Sequence, residues 1–343
     1  MESALITTPP SVSASDKASA DLPLAVGPAI SSARLPPASK SRLFMTYVAT
    51  LISNPAAPAL DDTILRRARR SLFAAQEPVW LDPGIAAEII FAPGVDSDAR
   101  GLSDHLRAVI GSDPIDAVVQ RTGPRRKKLF VADMDSTMIG QECVDELADF
   151  AGLKAHVAAI TERAMRGEIA FEPALRERVA LLKGLPAATV DKVIAERITL
   201  TPGARTLVQT MRKAGALTCL VSGGFTLFTK RIADMIGFDE NRGNTLAVAK
   251  DGTLEGVVGE PILGREGKLA TLLDLTARLG IGLEDSMAVG DGANDLAMIE
   301  MSGLGVAYHA KPAVAASAHA RIDHGDLTAL LYMQGYRREE FVI

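Results

Sequence analysis

The segment KLFVADMDSTMIGQE, residues 128–142, constrains this chain more than any other. Leu129, Phe130, Val131 and Ala132 form an apolar run long enough for a buried strand and too short for a helix. The run ends on Asp133, and Asp135, Ser136 and Thr137 follow after Met134. Two carboxylates one residue apart at the end of a buried strand are costly to ionise unless positive charge sits between them. A divalent cation meets that demand, and phosphoryl transfer is a chemistry that needs one. Read alone, the same residues serve equally well as a helix N-cap followed by a turn acid. The rest of the chain has to decide.

Downstream of Asp135 the pattern turns helical. Segments 141–151, 156–166, 173–182 and 187–197 each carry apolar residues at three- and four-residue spacing, with no strand-like segment between them. An all-helical insert placed directly after a catalytic strand is what a lid would look like. Strands and helices then alternate. A helix opens at Thr201-Pro202-Gly203, residues 216–221 read as a strand, and Ser222-Gly223-Gly224-Phe225 as the turn after it. Segments 246–249 and 254–257 flank Asp251-Gly252 as a hairpin. A helix over 267–279 leads to a strand over 285–289 that ends in Gly290-Asp291-Gly292-Ala293-Asn294-Asp295, and 304–307 is expected to be the last strand. Such alternation implies a doubly wound parallel α/β sheet with its ligand site at the carboxyl edge.

The region before the motif divides in two. Residues 1–41 are rich in Ala, Ser and Pro, have little to bury, and are expected to be a disordered tail. Residues 42–120 form a small α+β domain, with strands at 44–52 and within 80–91 and helices at 61–75 and 103–110. It carries no catalytic cluster; regulator binding, dimerisation (hence a homo-oligomer) and plain support all remain open for it. The basic run RTGPRRKK at 121–128 reads as a solvated linker into the main domain, residues 126–343, whose helical cap covers about 139–200.

With 37 basic and 42 acidic residues the net charge is −5, which argues against nucleic acid as the main partner. Two cysteines, Cys143 and Cys219, without C-x-x-C spacing suggest neither disulfide framework nor structural zinc and fit a reducing compartment. No apolar run approaches a bilayer span, and the start of the chain lacks the form of a secretory signal, so a cytoplasmic protein is expected.

Polar groups collect at the one sheet edge: Asp133 and Asp135, Ser222 with Gly223, Lys268, and Asp291 with Asn294 and Asp295. Moving a phosphoryl group needs an attacking carboxylate, a second carboxylate to trade protons, an oxygen cage for Mg²⁺, and donors to spread charge on the phosphate oxygens. Rival glycine-rich readings fail: the third glycine position of a dinucleotide fingerprint holds Asp295, and no G-x-x-x-x-G-K-[ST] loop occurs. Alone, GDGAND is also an ordinary surface turn.

DMDST at 133–137, VSGGF at 221–225, the lysine of REGK at 268 and GDGANDL at 290–296 together resemble, in order, the four motifs of the haloacid dehalogenase superfamily of phosphotransferases. The likeness covers roughly residues 128–331, and DMDST followed by Glu142 is similar to its phosphoserine-specific branch. The resemblance implies that Asp133 is the nucleophile and Asp135 the acid and base. It implies Mg²⁺ on Asp133, the Asp135 carbonyl and Asp291, supported by Asp295 and Asn294. Ser222, Gly223 and Lys268 would hold phosphate. In the cap, Glu142 would face a substrate ammonium and Arg178 its carboxylate, with Met165 and Phe171 closing the pocket. Opposite charges do suit a zwitterionic amino acid. Without the resemblance, Arg176, Glu177 and Arg178 read as an exposed charged helix face. It further implies a Mg²⁺-dependent enzyme that releases serine and phosphate from O-phospho-L-serine, the last step of serine synthesis. The competing readings are a phosphatase or phosphotransferase acting on another small ester, for example with homoserine as acceptor, and a regulatory protein that keeps the fold without turnover.

Overall fold

The computed structural model describes residues 46–93, 98–165 and 168–343, apart from the side chains at 164 and 165. The segment 1–41, expected to be disordered, lies outside them. All described elements belong to one unit, Phe44–Ile343.

Six elements precede the acidic motif: β1 (Tyr47–Ser53), α1 (Asp62–Arg70), β2 (Val79–Asp82), β3 (Ala86–Phe91), α2 (Ala99–Ile110) and β4 (Ile115–Arg121). The strands pair antiparallel in the order β2-β3-β1-β4, a split β-α-β arrangement. Both helices start where an aspartate accepts a first-turn N–H: Asp61 from Ile64 and Asp98 from Gly101, each at 2.8 Å. Every residue of β1 is buried, because both faces of this sheet are covered. Tyr47, Ala49 and Leu51 pack with Leu65 and Leu106 of the helices, while Ile52 joins the main core of the chain. Residues 80–91, expected to hold one strand, hold parts of two, because Gly84 at φ +80° turns the chain between them. No element was expected at β4.

The main domain begins with β5 (Leu129–Ala132) and then makes its helical excursion: α3 (Cys143–Phe150), α4 (Lys154–Met165), α5 (Phe171–Leu181) and α6 (Thr189–Arg197). The excursion leaves at Ile139 and returns at Leu200, and these two residues bridge each other. Gly140 N–H donates to the Thr199 carbonyl and Thr201 N–H to that of Met138, so the two stems are zipped together. The chain continues through α7 (Ala204–Lys213), β6 (Leu217–Phe225), α8 (Thr226–Ile236) and β7 (Glu240–Asn244). A hairpin of β8 (Leu246–Val248) and β9 (Leu254–Val258) follows, then α9 (Arg265–Leu279), β10 (Ser286–Gly290), α10 (Leu296–Met301), β11 (Leu304–Tyr308), α11 (Pro312–Ser317), β12 (Ala320–Ile322) and α12 (Ala329–Met333).

Six strands form one parallel sheet in the order β12-β11-β10-β5-β6-β7. From β5 the chain winds outward through β6 and β7, then crosses back to β10 and winds the other way. The order therefore reverses between β5 and β10, which is where an open α/β sheet leaves a crevice. All residues of β5, β10 and β11 are buried, as strands covered on both faces must be. Two expectations are corrected. Ser222 to Phe225 is not a turn after the strand but the irregular end of β6, whose ladder to β7 shifts register between Val221 and Phe225. Nor is the strand at 304 the last, since β12 pairs beyond it. Among the described residues no helix is long and apolar enough to cross a membrane.

Candidate active site

The crevice is built from strand ends. Asp133 directly follows β5, and its N–H continues the ladder to the Val289 carbonyl of β10 at 3.0 Å. That bond holds the carboxylate against the sheet rather than on a free loop. Asp291 follows β10, so these two acids flank the point where strand order reverses. Asp295 sits at the start of α10 and is fully buried; its Oδ2 accepts the Gly292 N–H at 3.1 Å, closing the turn under Asp291. Gly290 cannot be anything larger, because a Cβ there would lie 2.4 Å from the Asp295 carboxyl carbon.

Lys268, on the first turn of α9, is buried completely and donates to Asp133 Oδ1 at 2.5 Å and Asp295 Oδ1 at 2.6 Å. Burial alone would depress its pKa, but the two carboxylates outweigh it and hold the ammonium charged. Burial and the neighbouring Asp295 push Asp133 well above the usual carboxylate range, and they raise Asp291 too. Oxygens of Asp133, Asp291 and Asp295 lie within 4.8 Å of one another. Three carboxylates and one ammonium leave a formal charge of −2 in a nearly dry site. An all-oxygen donor set with that deficit fits a hard divalent cation.

Asp135 turns away from this cluster. Its Oδ1 accepts the Cys143 N–H at 2.8 Å and its Oδ2 the Ser222 hydroxyl at 3.0 Å. Burial raises its pKa, with these donors opposing. The Ser222 oxygen also accepts the Gly224 N–H at 2.8 Å. Ser136, at φ +54°, directs its hydroxyl to Glu142 Oε1 at 2.7 Å. Glu142 stands at the N-cap position of α3 without a capping bond and opens to the cavity, yet the protein around it and the charge of Asp135 raise its carboxyl to about 7.

A cavity of about 180 Å³ joins core and cap. From the core it is lined by Asp133, Asp135, Ser222, Gly223, Asp291 and Asn294. From the cap it is lined by Glu142, Phe171 and Arg178. The Arg178 guanidinium donates only a long 3.4 Å bond to the Ala174 carbonyl, and among the described residues no carboxylate lies within 4 Å of it. Phe171 packs over Gly223 and Gly264, where Cβ atoms would come within 3.4 and 3.2 Å of its ring. Lys268 and Asp295, also singled out from the sequence, lie behind the wall. The side chain of Met165 falls outside the described residues.

Two positions at the site escaped sequence reading. Lys311, between β11 and α11, lines the cavity and anchors its N–H on the Asp291 carbonyl at 3.2 Å. Asn244, at the end of β7, fastens the Gly223 loop by donating to the carbonyls of Gly223 at 2.8 Å and Leu263 at 3.0 Å. Neither carries a local signal: a lone Lys in an Ala-rich segment and a lone Asn in a polar one acquire meaning only through the pairing of distant strands.

Residues 130–300 match the haloacid dehalogenase-like hydrolase family. A phosphoserine phosphatase of Polaromonas sp. is 52% identical over 209 residues, covering 60% of this chain and 88% of that protein. The chain belongs to the phosphoserine phosphatase family of haloacid dehalogenase-like hydrolases. Its fold is that of solved members. A HAD family hydrolase from Salmonella enterica serovar Typhi superposes with a TM-score of 0.73 at 30% identity, covering 84% of this chain and 98% of that one. A probable phosphoserine phosphatase from Vibrio cholerae, unliganded, gives 0.68 at 29%, covering 86% and 88%. Both coverages exceed the share of this chain that lies beyond the acidic motif, so those relatives share part of the antiparallel module as well.

Proposed function

We propose that this protein is a Mg²⁺-dependent phosphatase that hydrolyses O-phospho-L-serine to L-serine and phosphate through an aspartyl-phosphate on Asp133, serving the last step of serine biosynthesis. One observation carries the substrate claim: Glu142 and Arg178, of opposite charge, line the same small cavity as Asp133. An ester whose alcohol carries both an ammonium and a carboxylate needs that pair, and a planar guanidinium suits the carboxylate. Neither cap residue has a strong ionic partner of its own among the described residues, so the substrate would complete both.

In this reading Asp133 Oδ attacks phosphorus while the phosphorus–oxygen bond to serine breaks, and Asp135 gives its proton to the departing oxygen. Asp135 then takes a proton from water as that water attacks phosphorus, which frees the Asp133 carboxylate and releases phosphate. Burial of Asp135 favours the proton-bearing form that the first step requires. Ser222 and the Gly223 N–H would orient the phosphoryl oxygens, with Lys311 adding charge at the rim. Lys268 keeps Asp133 and Asp295 in place. Asp133, Asp291 and the Asp135 carbonyl would hold Mg²⁺, with Asp295 and Asn294 in support. When bound, the ion supplies positive charge to the phosphoryl oxygens and to the attacking carboxylate.

The same reading takes residues 42–120 as an ACT-like module, which the β-α-β-β-α-β order favours, and 126–343 as the phosphatase domain. It also carries a cytoplasmic location, in keeping with two free buried cysteines. The decisive experiment is phosphate release from phosphoserine, phosphothreonine, sugar phosphates and nucleotides, with and without Mg²⁺. Preference for phosphoserine with metal is expected; preference for a sugar phosphate would refute the substrate.

A further inference from the structure

A second cavity, of about 240 Å³, lies where α2 of the antiparallel module meets α11 and β12 of the phosphatase domain. Arg100 and Arg107 reach it from α2 and Arg321 from β12. Arg100 is tied down by two bonds from Nη2, to the Ser317 carbonyl at 2.6 Å and the Ala318 carbonyl at 2.7 Å. Arg107 pairs with Asp104 at 2.8 Å and Arg321 with Asp323 at 3.0 Å. Counting both acids, three guanidiniums still leave a formal charge of +1, and the Asp104 side chain is 61% exposed and a weak neutraliser. One donor is stranded: the Nε–H of Arg107 is buried without a hydrogen bond, whereas the Nε of Arg321 is the atom that meets Asp323. Buried donors are normally satisfied, so a stranded one beside a positively charged cavity calls for an acceptor from outside the chain. His319 adds a second donor. Its Nδ1 accepts the Gly305 N–H at 2.9 Å, so in the neutral ring the proton sits on Nε2. Burial and the nearby Arg100 keep that ring neutral, and burial together with Arg321 lowers the Arg107 pKa, as expected for like charges held together.

We infer that this junction is a binding site for a small oxyanion, a carboxylate or phosphate group, clamped by Arg100, Arg107 and Arg321 between the module and the sheet edge. Guanidinium forks match the geometry of either group, and a bound anion would tie α2 to β12. The inference is independent of what the active site hydrolyses.

The test follows the arginine Nε–H signals of ¹⁵N-labelled full-length protein during titration with inorganic phosphate and, separately, malonate, with chloride at matched ionic strength as control. Signals of Arg107 and Arg321, assigned with R107K and R321K, should move saturably with half-saturation at or below about 1 mM. Tighter phosphate would identify a phosphate-bearing ligand, and tighter malonate a carboxylate. R321Q, at a partly exposed side chain, should weaken binding about tenfold while the melting temperature in anion-free buffer stays near wild type; R100A, which also gives up the bonds to the Ser317 and Ala318 carbonyls, should weaken binding by at least as much. Phosphate that moves only the Arg178 signal is binding in the active cavity, and that result overturns the inference. Equal movement with chloride, or unchanged affinity in both variants, overturns it as well.

Discussion

The floor of the active cavity and its cap wall are built by opposite rules. On the floor, Asp133, Lys268 and Asp295 are almost wholly buried and bond to one another, so their geometry is set before any ligand arrives. On the wall, Glu142 has one hydroxyl partner and Arg178 one long bond to a carbonyl, and Phe171 is 41% exposed. A preorganised floor costs no reorganisation when charge develops at phosphorus. On the proposed function, a sparsely bonded wall would spend its donors on the substrate and so set selectivity. On that same reading, the contrast puts turnover and choice of substrate in different layers of one pocket.

Several substitutions would break or sharpen that contrast. The largest effect is expected for Asp133→Asn, which should lower turnover by about a thousandfold or more with the circular dichroism spectrum unchanged; activity near wild type would mean that another group attacks phosphorus. Lys268→Met should act on stability first, because it leaves two buried carboxylates facing each other. A loss of about 3–5 kcal/mol is expected by calorimetry, and an unaltered melting temperature would show that the floor is not held by this ammonium. Arg178→Ala should leave stability almost untouched but raise KM for phosphoserine by roughly 10- to 100-fold, as for one charge-assisted contact. A small aryl phosphate should be spared; equal losses on both would deny the wall its selective role.

The smallest effect is in pH. The Glu142 carboxyl is raised from 4.5 to about 7, so the folded chain holds this proton where the unfolded chain has released it. That group's contribution to stability therefore falls as pH rises through this window. Binding of an ammonium runs the other way, since only ionised Glu142 attracts it. KM for phosphoserine should fall a few-fold from about pH 6 to about pH 8, and Glu142→Gln should flatten that slope.

The floor was legible from sequence because each of its parts marks a strand end. Asp133 follows an apolar run of four, Asp291 follows another, and glycines stand where side chains would collide. Chain periodicity also revealed the helical excursion. Other parts were hidden for physical reasons. β7 is ENRGN, a polar edge strand with no alternation, recognisable only by its pairing with β6. β12 is three residues long, too short for any pattern. Arg178 shares its helix with Arg176, which pairs with Glu260 at the surface, and spacing alone cannot tell which arginine faces the cavity. Lys311 and Asn244 depend on contacts made across long separations in the chain.

The zipped stems of the cap have a further consequence. Because Ile139 and Leu200 lie side by side, the sheet meets the helical excursion as a closed loop of nearly zero span, whatever its contents. Loop-closure entropy grows only slowly with length, so the helices beyond Cys143, whose N–H holds Asp135, could be exchanged for a longer, shorter or differently folded segment with little strain on the strands below. Grafting at that neck is therefore the natural route to a new substrate on an unchanged catalytic base.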